Sequence, residues 1–228
     1  MAESTQEFYG RWARLYDLIA RETPGIARLR RRAAAACRLE PGDTVVEMGC
    51  GTGANLPYLR EQVGPAGTVI GIDFTRPVLE RARAATADDD NVHVLQGDAT
   101  RPPVDASVST ATDGAIDAVL ATFVVGMLAD PAGAVDDWCD LVGPDGTVVL
   151  ANAARSEAWY APPVNAVFRA IVVLSTPPTA KLRYTDAPHV RLDEKIDAAH
   201  ARLRERAVAV ADETHVFGVV RLTGGRLE

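Results

Sequence analysis

The sequence predicts an α/β fold, a mostly parallel sheet of seven strands with helices on both faces. Three observations predict it. From residue 44 onward, short apolar runs rich in Val and Ile alternate with segments of helical spacing. The joints between them are short and carry Gly or Pro. One joint is a glycine loop that leads a buried strand directly into a helix. Such alternation builds right-handed βαβ units and therefore parallel strands. A length of 228 residues suits one large domain, or one domain with an appended subregion.

Two helices are expected first. Phe8, Trp12, Leu15 and Ile19 recur at helical spacing, with Tyr9, Ala13, Tyr16 and Ala20 as the adjoining stripe. Thr23-Pro24 interrupts the pattern and starts a second helix. Its apolar face is Ile26, Leu29, Ala33 and Ala36, and Arg28, Arg30, Arg31 and Arg32 read as a solvated face. After the turn Glu40-Pro41-Gly42-Asp43, strands are expected at 44–48, 68–73, 92–96, 115–123 and 147–152. Helices are expected at 55–63, 76–87 and 132–141, with Asp88-Asp89-Asp90 as a solvated loop and Gly143-Pro144-Asp145-Gly146 as a turn.

Residues 155–192 break this rhythm with aromatics and prolines, among them Trp159, Tyr160, Pro162, Phe168, Tyr184 and Pro188. Helical spacing returns at 192–206, and 207–210 and 215–222 read as a closing pair of strands. The chain therefore divides into a helical cap (1–39), a sheet domain (40–154 and 192–228) and an insertion (155–191). An insertion over a sheet edge is a natural place for a substrate lid.

Acidic residues number 31 against 24 basic ones, a net charge of −7. A diffuse negative field disfavours non-specific binding to nucleic acid or to an anionic membrane surface. Cys37, Cys50 and Cys139 form no C-x-x-C pair, and an odd count argues against a disulfide framework. A reducing, cytoplasmic setting is expected. The N-terminal residues show no signal pattern, and the longest apolar stretches fall short of the ~20 residues of a membrane span. The histidines His93, His189, His200 and His215 have no metal-ligand spacing.

The sharpest chemical feature is Val45-Val46-Glu47-Met48-Gly49-Cys50-Gly51-Thr52-Gly53-Ala54-Asn55. Glycines at every second position let the backbone pass close to a ligand, and the helix that follows offers free N–H groups. In open α/β sheets the ligand crevice lies beyond the carboxyl ends of the strands. Gly49-x-Gly51-x-x-Ala54 alone also fits a dinucleotide loop. The surrounding acids decide between the two. Glu47 precedes the first glycine by two residues, Asp73 ends the second strand, and Asp98 follows the third in Gln96-Gly97-Asp98-Ala99. Asp73 is placed to accept from two ribose hydroxyls and Asp98 from an adenine amino group. Three strand tips bearing carboxylates describe a site for an adenosine with a cationic, zwitterionic tail, and Glu47 would repel a pyrophosphate. The Tyr-x-x-x-Lys pair of short-chain NAD(P)-dependent dehydrogenases is absent, because Pro177 and Arg191 precede the two lysines by four residues.

Here the chain resembles the class I S-adenosylmethionine-dependent methyltransferases. Glu47-x-Gly49-Cys50-Gly51-Thr52-Gly53 resembles their first motif, Gly71-Ile72-Asp73-Phe74 their ribose motif and Gly97-Asp98-Ala99 their adenine motif. Leu141-Val142-Gly143-Pro144-Asp145-Gly146-Thr147 resembles the turn before their fifth strand, with Asp145 in place of the first turn glycine. Tyr9 to Asp17 resembles a helix of small-molecule relatives in quinone biosynthesis, where it covers the cofactor. The resemblance implies a Rossmann-like sheet with an antiparallel last strand, and S-adenosyl-L-methionine as the cofactor. The residues it implies around that cofactor are Tyr9, Tyr16, Glu47, Gly49, Cys50, Gly51, Asn55, Asp73, Phe74, Asp98, Ala99 and Thr122.

In such enzymes the methyl group needs no activation by metal, and positioning of the acceptor supplies much of the rate. Thr122-Phe123-Val124-Val125 lacks the Asn/Asp-Pro-Pro-Tyr/Phe motif of enzymes that methylate base amino groups. Cys50 reads as loop backbone with a small side chain. Tyr160, Tyr184 and His189 are the candidate catalytic residues in the insertion, and its aromatics suit a small or lipophilic acceptor. A cofactor-binding module without catalysis, a sensor or partner subunit, is the alternative of another class.

Overall fold

The computed structural model describes residues 25–104, 116–175 and 188–228. Tyr9, Tyr16 and Tyr184 lie outside these residues. In chain order the elements are α1 (Ile26–Ala36), β1 (Thr44–Met48), α2 (Leu56–Val63), β2 (Thr68–Asp73), α3 (Arg76–Ala85), β3 (Val92–Gln96) and β4 (Ile116–Thr122). A short 3-10 turn, Val125–Met127, leads to α4 (Pro131–Leu141), β5 (Val142–Ala153), α5 (Ala161–Ser175), α6 (Pro188–Arg206), β6 (Ala209–His215) and β7 (Val220–Arg226).

Seven strands form one sheet in the order β3-β2-β1-β4-β5-β7-β6. β1 pairs in parallel with β2 and β4, β2 with β3, and β4 with β5. β7 runs antiparallel to both its neighbours. The order reverses at β1 and β4, so the crevice between them opens at the carboxyl ends of those strands. This is the Rossmann-like architecture with an antiparallel last strand.

The central strands feed two cores because their side chains alternate between faces. On one face Val45, Val69 and Val149 pack with Ala33 of α1, Leu56 and Leu59 of α2 and Leu79 of α3. On the other, Val46, Ile70, Val119 and Val148 pack with Val135 and Trp138 of α4 and Ile196 and Leu203 of α6. β1 is buried along its whole length, as a central strand covered on both sides must be. Its one charged residue, Glu47, falls on the face that carries Val45.

Four features differ from expectation. The closing hairpin turns at 216–219, not at 211–214. Val216 and Phe217 are apolar and so read as strand, yet both take left-handed backbone (φ 51 and 56) beside Gly218. Asp212 and Glu213 read as turn, yet they lie on the edge strand β6, where solvent accepts charges. Residues 143–146 belong to β5 as an irregularity, with a register shift opposite Ile116 and Ala118. Asp145 stands there at φ 61, a conformation that Asp tolerates better than most residues.

The third difference is that part of the 155–192 segment is helical, as α5. The fourth concerns the arginines of α1. Arg32 pairs with Glu213 of β6, Arg31 sits 5.8 Å over the Tyr58 ring, and Arg30 reaches α2. Arg28, Arg31 and Arg32 are nevertheless exposed, as expected, and of the four only Arg30 is half-buried.

Candidate active site

The loop between β1 and α2 is fixed by its glycines. Gly49, Gly51 and Gly53 have φ of 70, 56 and 77, a region closed to most residues with a Cβ. They differ in surroundings. A methyl group on Gly49 would lie 2.7 Å from Val124 Cγ2, whereas one on Gly51 would meet nothing within 4 Å among the described residues. The loop is thus packed at Gly49 and open at Gly51. Cys50 between them is buried, and its amide donates to the Ile72 carbonyl at 2.9 Å. Burial and nearby carboxylates push its thiol far above the usual range, which disfavours the thiolate.

Asp73 ends β2 and joins the loop to the next helix. Its Oδ2 accepts from the Gly51 amide at 3.0 Å, and its Oδ1 from the Thr75 amide at 2.7 Å. Each oxygen keeps a lone pair for a further donor. Phe74, next in sequence, is exposed, and its carbonyl accepts from Gln96 Nε2 at 3.2 Å. Beyond β3, Asp98 is exposed, and its Oδ1 accepts from the amide and the hydroxyl of Thr100. Trp138 of α4, fully buried, donates from Nε1 to the Ala99 carbonyl at 2.8 Å. Sequence reasoning missed this anchor, since nothing marks Trp138 beyond its place on an apolar helix face.

Glu47 is 1% exposed. Its Oε1 accepts from Asn55 Nδ2 and, at 3.3 Å, from Thr122 Oγ1, while its Oε2 has no partner among the described residues. Burial raises its carboxyl to about 7, against the opposing pull of Asn55, Arg30 and Thr122. Asn55 Nδ2 also donates to Thr122 Oγ1 at 2.9 Å, and Asn55 Oδ1 accepts from Arg30 at 2.6 Å. Asn55 precedes α2 but makes no side-chain cap bond, because both ends of its amide are committed here. A buried carboxylate oxygen without a donor is costly. A ligand cation would satisfy it. These residues fit the adenosyl cofactor better than a diphosphate.

Of the candidate acceptor-side residues, Tyr160 and His189 lie within the described residues. Tyr160 precedes α5 and packs edge-on to Trp159 with centroids 5.6 Å apart. His189 occupies the first turn of α6, not a loop, and its Nδ1 is buried without a partner among the described residues. One turn on, Asp193 holds α6 to the chain after β5, accepting from the Arg155 amide at 3.1 Å and pairing with its guanidinium. The β6–β7 turn reaches the same region, where Ser156 Oγ donates to the Phe217 carbonyl at 2.8 Å.

Among the described residues no group of His, Cys, Asp and Glu could hold a metal ion, and no helix is long and apolar enough to cross a membrane. The three cysteines are free and buried.

Comparison with known proteins finds methyltransferases. Nocamycin O-methyltransferase of Saccharothrix syringae is 35% identical over 113 residues, which is 48% of this chain and 38% of that protein. Demethylmenaquinone methyltransferase of Staphylococcus aureus is 29% identical over 150 residues, 66% of this chain and 58% of that protein. The chain thus spans between about a third and three fifths of the length of these curated relatives. A solved S-adenosylmethionine-dependent methyltransferase from Aquifex aeolicus shares the fold, with a TM-score of 0.57 at 18% identity over 91% of this chain and 95% of that one. Residues 46–150, a little under half of the chain, match the family described as a methyltransferase domain, and that segment holds the glycine loop, Asp73 and Asp98.

Proposed function

We propose that this protein transfers a methyl group from S-adenosyl-L-methionine to a small, lipophilic acceptor. The observation that carries the reading is Glu47, a buried carboxylate at the tip of β1 with an oxygen that has no partner among the described residues, beside a glycine loop that those residues leave open at Gly51. Glu47 would receive the cofactor's amino group. Asp73 would accept from the ribose hydroxyls with the lone pairs left by Gly51 and Thr75, and Asp98 from the adenine amino group. Phe74 and Ala99 would flank the adenine, while Gly49, Cys50 and Gly51 would line the tail with backbone and Asn55 and Thr122 would hold Glu47. Tyr9 and Tyr16 would close over the cofactor from the N-terminal cap.

When bound, the sulfonium supplies a methyl group that is electrophilic without metal assistance. The chain's part is to orient and to exclude water. Glu47 and Asp73 fix the two ends of the donor. Residues 155–191, with Tyr160, Tyr184 and His189, would form the lid over the acceptor. His189 Nδ1, buried and without a partner among the described residues, is suited to take a proton from an acceptor hydroxyl. The relatives that act on demethylmenaquinone and nocamycin support a lipophilic acceptor, as do the exposed Trp159, Tyr160 and Phe217 at this edge.

The test is calorimetric titration with S-adenosylmethionine, followed by a screen of phenols, quinols and amines with labelled methyl donor. Binding with transfer to a lipophilic acceptor supports the proposal. Binding without transfer to any acceptor favours a sensor or partner subunit, and no binding ends both.

A further inference from the structure

Glu47 is held by a relay that begins outside the motif. Arg30 projects from α1, 25 residues before Asn55 in the chain, and donates from a guanidinium nitrogen to Asn55 Oδ1 at 2.6 Å. That bond settles which way the Asn55 amide points. With Oδ1 bound to a cation, Nδ2 must face Glu47 Oε1 and Thr122 Oγ1, and it does. A flipped amide would set Oδ1 against the carboxylate and Nδ2 against the guanidinium, which is repulsive at both ends. Glu47 Oε1 therefore has an amide donor that cannot accept, and Oε2 is the oxygen without a partner among the described residues.

We infer that Arg30 is a positioning residue for the cofactor's amino group, acting through the Asn55 amide to hold Glu47 as an acceptor for a cationic amino-acid tail. The inference rests on the reading of Glu47 as the partner of that amino group. The charges around Glu47 agree with it. Arg30 on α1 favours the ionised form and Asp73 on β2 opposes it, while Asn55 before α2 and Thr122 on β4 are neutral donors. Burial brings the carboxyl to about 7, so the balance is set where a single cation decides it. The relay also gives α1 a reason to be docked when the cofactor is bound.

Two ligands separate positioning from simple structure. S-adenosylhomocysteine carries the amino-acid tail, and 5′-methylthioadenosine keeps the adenosyl thioether without it. Calorimetry at about pH 6 and about pH 8 reads the affinity of each. For Arg30→Gln, S-adenosylhomocysteine should bind roughly tenfold more weakly at the lower pH. The ratio of dissociation constants, in which the ligand's own titration cancels, should shrink as pH rises and Glu47 ionises without help. Methylthioadenosine should bind both proteins alike, and Arg30→Lys should restore most of the loss. Equal weakening of both ligands, or a loss independent of pH, would assign Arg30 a structural role and overturn the inference. Unchanged binding of S-adenosylhomocysteine would overturn it as well. If neither ligand binds the wild type, the functional reading itself fails, which is a separate result.

Discussion

Asp73 Oδ2 accepts the Gly51 amide hydrogen at 3.0 Å, so the carboxylate that ends β2 also fixes the most open point of the glycine loop. With Thr75 on its other oxygen, this one side chain sets both the loop's path and the start of α3. A group so placed presents its remaining lone pairs in a fixed direction, the preorganisation that a ribose diol requires.

Asp73→Asn should therefore cost more in binding than in stability. The amide oxygen can keep one of the two backbone donors, and the fold should lose about 1 kcal/mol. Affinity for S-adenosylmethionine should fall by roughly 100-fold, because a neutral amide replaces a charged acceptor for two hydroxyls. Thermal denaturation and calorimetry measure the two effects. Wild-type affinity in a folded variant would remove Asp73 from the site.

Gly49→Ala and Gly51→Ala should part company, although both glycines have left-handed backbone. Each substitution carries a conformational cost of about 1–2 kcal/mol. At Gly49 the new methyl also meets Val124 at 2.7 Å, which adds about 1–3 kcal/mol of overpacking. At Gly51 it meets nothing among the described residues and protrudes into the space assigned to the cofactor. Gly49→Ala should lower the melting temperature by several degrees more than Gly51→Ala. Gly51→Ala should remain folded and lose most cofactor affinity, and undiminished binding by it would refute the placement of the ligand against this loop.

Much of this was legible in the sequence because it depends on local pattern. The motif around Glu47 to Gly53, the acid at Asp73 and the strand–helix alternation each follow from period and turn chemistry. The Asp145 substitution even kept its left-handed role in the β5 irregularity. What escaped depends on tertiary meetings. Nothing adjacent to Arg30 announces that its guanidinium ends on Asn55, and an arginine on a helix is by default solvated. The hairpin was misplaced because Val216 and Phe217 carry apolar side chains at positions where the backbone, not the side chain, decides. Helix α5 was hidden by prolines, although Pro162 and Pro163 occupy its first turn, where a missing N–H costs nothing.

Trp138→Phe tests how the segment after β3 is held. The indole donates to the Ala99 carbonyl at 2.8 Å inside a fully buried contact. Phenylalanine keeps most of the apolar burial and leaves that carbonyl without its donor, a cost of about 1–3 kcal/mol. The effect should extend to the neighbouring Asp98. Amide hydrogen exchange at 97–101 should quicken, and S-adenosylmethionine should bind about threefold to tenfold more weakly. Unaltered exchange at these residues would mean that Trp138 acts only as core.

His200 should make the fold sensitive to acid. It is buried between α6 and the sheet, with Nδ1 2.7 Å from Thr223 Oγ1 and Nε2 3.4 Å from Asn152 Nδ2. Thr223 Oγ1 in turn donates to Asp212. This arrangement suits a neutral ring with its proton on Nδ1. Burial, reinforced by Arg204 and Arg221 and opposed by Asp212 and Asp197, lowers its titration from 6.5 to about 4. The folded-state value thus lies below the unfolded one, so the unfolded chain binds the extra proton first. Stability should be whole above pH ~6.5, decline as pH falls from there, and have lost about 3 kcal/mol from this group once below pH ~4. Protonation would also place a second donor at Nε2 against the Asn152 amide. His200→Gln should remove this part of the dependence. The difference in unfolding free energy between wild type and variant, measured by urea titration from pH 7.5 to 4, cancels the carboxylates common to both. A difference that stays constant across that range would show that His200 does not titrate as a buried neutral ring.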